Sequence, residues 1–155
     1  MPSIRAAHPN DRDRLLAIWL DSVRATHSFL TEPDIQSLLP IVRDTALQHL
    51  ELWVLCDDDQ RAVGFMGLHG SCLEALFIHP SYIRRGGGSL LLEYARQLKG
   101  PLMVDVNEQN PDAIKFYLAA GFTIVGCSPL DSAGRPFPLL HLREMNPKLA
   151  RRLTR

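Results

Sequence analysis

Three consecutive glycines, Gly86-Gly87-Gly88, join an apolar, β-rich run, Cys72 to Ile78, to a helical-period run ending near Leu98. Glycine reaches positive-φ conformations that other residues resist, so the loop Ile83-Arg84-Arg85-Gly86-Gly87-Gly88-Ser89 lets the main chain pass close to another group. The first N–H groups of a helix have no intrahelical partner, and the helix dipole makes that end positive. A phosphate or diphosphate is the natural occupant, with Arg84 and Arg85 adding charge. A nucleotide P-loop would follow its last glycine with Lys and Ser/Thr, whereas Ser89 and Leu90 follow Gly88. A dinucleotide fingerprint would place a third glycine where Leu91 stands. ATP, GTP and NAD are therefore disfavoured, and a ligand-free glycine turn is the plain alternative.

The rest of the chain supplies short alternating elements. Ser3 to Ala7 reads as a strand. Asn10, with Asp13 three residues on, caps a helix whose stripe Leu15, Leu16, Ile18, Trp19, Ser22, Val23 ends near Arg24. Thr31-Glu32-Pro33-Asp34 opens a second helix running to about His49. The runs Leu52 to Asp57, Ala62 to Leu68 and Cys72 to Ile78 form an antiparallel meander. Gly86 to Leu98 is a helix with Leu90, Leu91, Tyr94, Ala95 and Leu98 inward. Leu102 to Val106 is a strand, Asn110-Pro111-Asp112 opens a helix that stops at Gly121, and strands Phe122 to Cys127 and Leu139 to Met145 close the chain. The expected fold is α/β of the α+β type: a mixed, mainly antiparallel sheet of about seven strands flanked by about four helices.

The length of 155 residues suits a single domain, placed at 1–147, followed by a basic tail at 148–155. Seventeen basic and seventeen acidic residues cancel, which argues against nucleic acid or an anionic membrane as partner. With neither a secretory-type start nor a membrane-length apolar run, the chain reads as cytoplasmic. Cys56, Cys72 and Cys127 are widely spaced and read as buried, reduced thiols.

The segment Asn107-Glu108-Gln109-Asn110-Pro111-Asp112-Ala113-Ile114-Lys115-Phe116-Tyr117, followed by Gly121-Phe122, resembles the GNAT superfamily of N-acetyltransferases. That family's pattern N-x-x-N-x-x-A-x-x-F-Y-x-x-x-G-F is matched by Asn107, Asn110, Ala113, Phe116, Tyr117, Gly121 and Phe122. Gly86 and Gly88 match the small positions of its donor loop, Q/R-x-x-G-x-G/A, and Leu76-Phe77-Ile78-His79-Pro80 looks like the preceding strand. The loop's first Arg/Gln position is held here by Ile83, with Arg84 one place later. Ala25 to Leu30 and Gly134 to Leu140 are similar to the YjaB-type branch.

The resemblance implies direct acetyl transfer from acetyl-coenzyme A to an amine of a small molecule or peptide, with no metal and with either a monomer or a homodimer. It implies a donor site at Phe77, Ile78, Arg84, Arg85, Gly86, Gly87, Gly88, Ser89, Asn107, Asn110, Ala113, Phe116 and Tyr117. An amine with pKa about 10 is mostly protonated at neutral pH, so a base is required. Glu74, expected on the strand face shared by Leu76 and Ile78, and His27, between the first two helices in a region that the resemblance implies lines the acceptor site, are the candidates, with Glu108 and His79 behind them. By motif position Tyr117 is the acid beside the leaving sulfur, and a backbone N–H near Phe77 or Ile78 faces the developing oxyanion. A non-catalytic acyl-coenzyme A sensor is the alternative, since glycine loop and Asn110 would serve both.

Overall fold

The structure, a computed structural model, describes residues 1–145; the basic tail expected at 148–155 lies outside the described residues. Seven strands, β1 (Ser3–Ala6), β2 (Glu51–Cys56), β3 (Ala62–His69), β4 (Cys72–Ile78), β5 (Met103–Asn107), β6 (Phe122–Ser128) and β7 (Leu139–Glu144), form one sheet in the order β1-β2-β3-β4-β5-β7-β6. Every neighbouring pair is antiparallel except β4 and β5. Four helices flank it: α1 (Arg12–Thr26), α2 (Glu32–Ile41), α3 (Gly87–Lys99) and α4 (Pro111–Ala119). The expected α/β architecture is the observed one.

Alternation along the strands feeds two cores. Val54 and Phe65 pack with Leu15, Ile18, Trp19 and Ile35 beneath α1 and α2, whereas their neighbours Leu55 and Met66 pack with Leu91, Leu92 and Ala95 beneath α3. Each fully buried side chain of this size contributes about 1.5–3 kcal/mol. The parallel pairing of β4 with β5 covers only Cys72↔Met103 and Leu73↔Val104. Beyond Leu73 the two strands part, and the gap between them is where the site lies.

Several local expectations need correction. Asn10 does not cap the first helix: His8 accepts from Asn10 N–H and Asp11 accepts from His8 N–H, building a short 3₁₀ turn that leads into α1, and α1 continues to Thr26. The second helical stretch does reach His49, but through a widened π turn, Val42–Ala46. Pro40 lacks the N–H that would bond Gln36, so the ladder is already interrupted there. On α3 the buried stripe is Leu91, Leu92 and Ala95, while Leu90 and Leu98 are exposed, because the stripe centres one position later than expected. All three cysteines are free, but only Cys56 is buried; Cys127 is exposed on the edge strand β6. The caps at Thr31 and Asn110 form as expected, Thr31 Oγ1 accepting from Asp34 N–H at 3.3 Å and Asn110 Oδ1 from Ala113 N–H at 3.3 Å.

Candidate active site

The donor loop takes its shape from two left-handed residues, Arg84 at φ 66° and Gly86 at φ 77°. Gly86 is the N-cap of α3 and offers no side chain, and among the described residues no protein acceptor takes the N–H groups of Gly87, Gly88 or Ser89. The first bond of the helix is Leu90 N–H to Gly86 O, at 3.0 Å. The positive end of α3 is therefore open. A Cβ on Gly87 would lie 2.8 Å from Leu55 Cδ2, and one on Gly88 would lie 3.4 Å from the Phe116 ring. The first glycine is needed for packing against the sheet; the second keeps a narrow passage between α3 and α4. This cradle of free amides fits the diphosphate of a coenzyme A-type donor.

A cavity of about 410 Å³ joins this helix end to the gap between β4 and β5; its walls include Gly86, Gly88, Ser89, Asn110, Phe116 and Tyr117. Phe77, Ile78, Arg84, Gly87 and Ala113 also line it. Arg85 does not: its guanidinium lies 5.2 Å over the Tyr82 ring, and it borders a separate cleft with Asp57 and Arg61. The left-handed turns on either side of Arg85 send its side chain away from that of Arg84. Asn107 lines only a smaller cavity of about 130 Å³, and its Oδ1 accepts from Gln109 N–H, shaping the turn before α4.

Tyr117 and His27 line both cavities. Tyr117 is 7% exposed, its ring packed edge-on against Phe116 and Phe122. Its hydroxyl has no protein partner among the described residues, yet it is not an atom sealed from solvent, so it opens to the cleft. Burial pushes the phenol's pKa upward. His27 is the C-cap of α1, held between Phe29 at 5.4 Å and Phe77 at 6.3 Å between ring centroids. Burial lowers its pKa, keeping the imidazole neutral.

Glu74 stands differently from expectation. Leu68 pairs with Leu73 and Gly67 with Ala75, so Glu74 is the extra residue of a β-bulge. Strict alternation is broken there: Leu73 shares the α3-side core with Leu76 and Ile78, and Glu74 is left exposed at the rim of the smaller cavity, beside Asp105. Of the two backbone donors expected near the reacting carbonyl, the structure favours Ile78. His79 N–H bonds Val63 O at 2.8 Å, so alternation turns Phe77 N–H toward β3 as well and Ile78 N–H toward the gap. Glu108 is exposed and lines neither cavity. Both ring nitrogens of His79 are engaged, Nδ1 with Ser81 and Nε2 with Asp21 at 2.9 Å.

Sequence reasoning missed one constellation. Asp105 Oδ1 lies 2.6 Å from His141 Nδ1, and His141 Nε2 lies 2.7 Å from Ser128 Oγ, linking β5, β7 and β6 on the face opposite α3. Only the strand order, with β7 inserted between β5 and β6, could have revealed it. Among the described residues no group of three or more His, Cys, Asp or Glu is arranged to hold a metal ion, and no helix is long and apolar enough to cross a membrane.

Comparison with known proteins agrees with this geometry. The family model "Acetyltransferase (GNAT) domain" matches residues 48–124. Peptidyl-lysine N-acetyltransferase YjaB of Salmonella typhimurium is 42% identical over 142 residues, covering 92% of this chain and 97% of that protein. Peptidyl-lysine N-acetyltransferase YiaC of Escherichia coli is 35% identical, covering 86% of this chain and 91% of that one. The solution structure of apo YjaB from Escherichia coli superposes with a TM-score of 0.87 at 39% identity, over 94% of this chain and 99% of that chain. The PaiA N-acetyltransferase of Thermoplasma acidophilum, solved in complex with coenzyme A, shares the fold with a TM-score of 0.72 at 19% identity, over 93% and 98%. The sensor reading is not favoured by these relatives, which are named as enzymes. The chain belongs to the GNAT family and is an N-acetyltransferase.

Proposed function

We propose that the protein transfers the acetyl group of acetyl-coenzyme A to the side-chain amine of a lysine in a peptide or protein. The observation that carries this reading is the continuity of one cleft from the unclaimed amides of Gly87, Gly88 and Ser89 to the hydroxyl of Tyr117 and the ring of His27. The lysine acceptor is supported by the names of the relatives above, and the donor by the coenzyme A complex of a protein with this fold. The donor supplies an activated thioester carbonyl. The chain's own residues do the rest.

The α3 amides and Arg84 hold the diphosphate, while Phe116 and Ala113 form the wall facing Gly88 and Ser89. Ile78 N–H stands where it can donate to the carbonyl oxygen as charge develops there. His27 accepts the proton of the incoming amine; neutral at physiological pH, it is ready as a base, whereas Glu74 at the rim is better placed to attract the cationic acceptor. Tyr117, kept protonated by its apolar surroundings, gives its proton to the departing sulfur. The acceptor enters past Glu74 and Asp105 through the gap between β4 and β5. Nothing in this chemistry needs a second subunit, a nucleic acid or a membrane, and a cytoplasmic setting with its acetyl-coenzyme A supply suits it.

An assay of lysine-containing peptides and free small amines, following thiol release from acetyl-coenzyme A, tests the reading. Turnover on lysine peptides is the expected result. Turnover confined to small amines would replace the peptide acceptor, and no thiol release with any amine would remove the catalytic reading.

A further inference from the structure

The hydroxyl of Thr26 is the residue next to His27, and its two contacts constrain the imidazole. Thr26 Oγ1 lies 2.8 Å from the carbonyl oxygen of Ser22, one turn back in α1, and 2.8 Å from His27 Nδ1. A carbonyl oxygen accepts only, so the single hydroxyl proton of Thr26 goes to Ser22 O. Thr26 Oγ1 is then left with lone pairs alone toward His27, and the proton between them belongs to Nδ1. A neutral imidazole with its proton on Nδ1 carries its free lone pair on Nε2.

Nε2 has no protein partner among the described residues and is not sealed from solvent, so it opens to the cleft that His27 lines. The backbone around the ring is fixed too: His27 N–H bonds Val23 O at 2.9 Å, and Leu30 N–H bonds His27 O at 3.0 Å. The ring cannot swing away without losing its place between Phe29 and Phe77. A histidine side chain on its own prefers the proton on Nε2, the wrong nitrogen for a base facing the cleft. Some group must therefore hold the less favoured tautomer.

We propose that Thr26 is a positioning residue: by spending its proton on Ser22 O, it fixes His27 as the Nδ1–H tautomer and leaves Nε2 as the proton acceptor in the cleft. The proposal rests on the reading of His27 as the base. The other titratable groups that share the two cavities are Glu74, Tyr82, Arg84, Asp105, Asp112 and Tyr117, and none of them makes a hydrogen bond to the ring.

The test uses the full chain with Thr26→Val, Thr26→Ser and His27→Gln. Nitrogen-15 chemical shifts of His27 report the tautomer directly: Nδ1–H is expected in the parent and in Thr26→Ser, with a shift toward Nε2–H in Thr26→Val. In turnover of a lysine peptide, Thr26→Val is expected to lower kcat by about tenfold at unchanged coenzyme A affinity, with Thr26→Ser restoring it to within about twofold. Thr26→Val should cost nothing further in a His27→Gln background. Parent protein showing Nε2–H, or Thr26→Val with full kcat while His27→Gln is impaired, would overturn the role of Thr26 alone. Full turnover of His27→Gln would remove His27 as the base, and the function assigned to Thr26 with it. Melting temperatures close to that of the parent confirm that each variant is folded.

Discussion

Asp105 and His141 face each other directly across β5 and β7, with carboxylate and imidazole 2.6 Å apart, and Ser128 of β6 closes the chain on the other ring nitrogen at 2.7 Å. The pair ties together the part of the sheet that lies beyond the β4/β5 gap. Cross-strand polar pairs of this kind contribute about 0.2–1 kcal/mol, and the partly exposed setting keeps this one in that range. A double-mutant cycle with Asp105→Ala and His141→Ala, followed by chemical denaturation, is expected to give a coupling of about 0.5–1 kcal/mol. A coupling near zero would make the contact incidental to stability.

The glycines of the donor loop separate into packing and passage. Alanine at 87 meets Leu55 Cδ2 at 2.8 Å and Ile78 Cδ1 at 3.2 Å, both on the sheet beneath the helix. Overpacking there costs about 1–3 kcal/mol, offset in part by about 1 kcal/mol of helix propensity. Alanine at 88 meets only the Phe116 ring, at an ordinary 3.4 Å. Gly87→Ala should therefore lower the melting temperature, whereas Gly88→Ala should leave it unchanged or higher and raise the donor KM. Thermal melts and steady-state kinetics on the two variants read the difference, and an equal effect on both quantities would contradict it.

What the sequence disclosed and what it withheld follow a physical line. The glycine loop, the caps at Thr31 and Asn110 and the stripe that carries Phe116 and Tyr117 are local: a few neighbouring residues determine them, so they are readable in one dimension. The position of Glu74 is not local. It depends on one residue too many opposite Gly67 and Leu68, and only strand register exposes that. Arg85 was misplaced for a related reason, since its direction is set by the left-handed backbone at Arg84, a conformation uncommon for a non-glycine residue. The Asp105–His141–Ser128 chain joins residues distant in sequence, through a strand order that no pattern of hydrophobicity encodes. His27 was visible as a candidate, but its free nitrogen was not.

Gln60 offers a route to a more stable protein that leaves the cleft untouched. It closes the β2–β3 turn at φ 62°, in the left-handed region. A non-glycine residue there costs about 1–2 kcal/mol, and glycine removes that strain while costing about 0.5–1 kcal/mol of chain entropy. Gln60→Gly should stabilise by about 0.5–1 kcal/mol, a rise of about 1–4 °C in Tm for a chain of this size, at unchanged kcat/KM. A lower melting temperature would show that the Gln60 side chain compensates for its backbone.

The Arg5–Asp11 ion pair should persist deep into the acid range. The Arg5 guanidinium, 2.8 Å away, and the N–H of His8 hold the Asp11 carboxyl down to about 2. Because the folded pKa is depressed, the stabilisation is present above the unfolded value near 4 and is lost as pH falls toward about 2. With Arg5 half-exposed, solvent screening reduces the contribution to about 1 kcal/mol. Asp11→Asn should lower Tm at neutral pH and flatten its fall between about pH 4 and 2. A variant whose acid limb parallels that of the parent would place the sensitivity elsewhere.

Tyr117 joins stability and turnover in one side chain. Its ring is locked by Phe116 and Phe122, while its hydroxyl reaches the cleft without a protein partner. Replacing that hydroxyl with hydrogen leaves the packing intact and removes the proposed proton donor, so Tyr117→Phe should lower kcat by about tenfold or more at unchanged coenzyme A affinity. Burial raises the phenol's pKa above its unfolded value of about 10, so the parent's stability is complete below that pH and declines above it, where the unfolded chain can ionise and the folded one resists. Tyr117→Phe has no such group to ionise, and its Tm between about pH 9 and 11 should fall less steeply than that of the parent. Reduced turnover with an unchanged alkaline slope would mean that the hydroxyl is wetter than its surroundings indicate; a shallower slope with full turnover would remove Tyr117 from the proton transfer and leave it a packing residue.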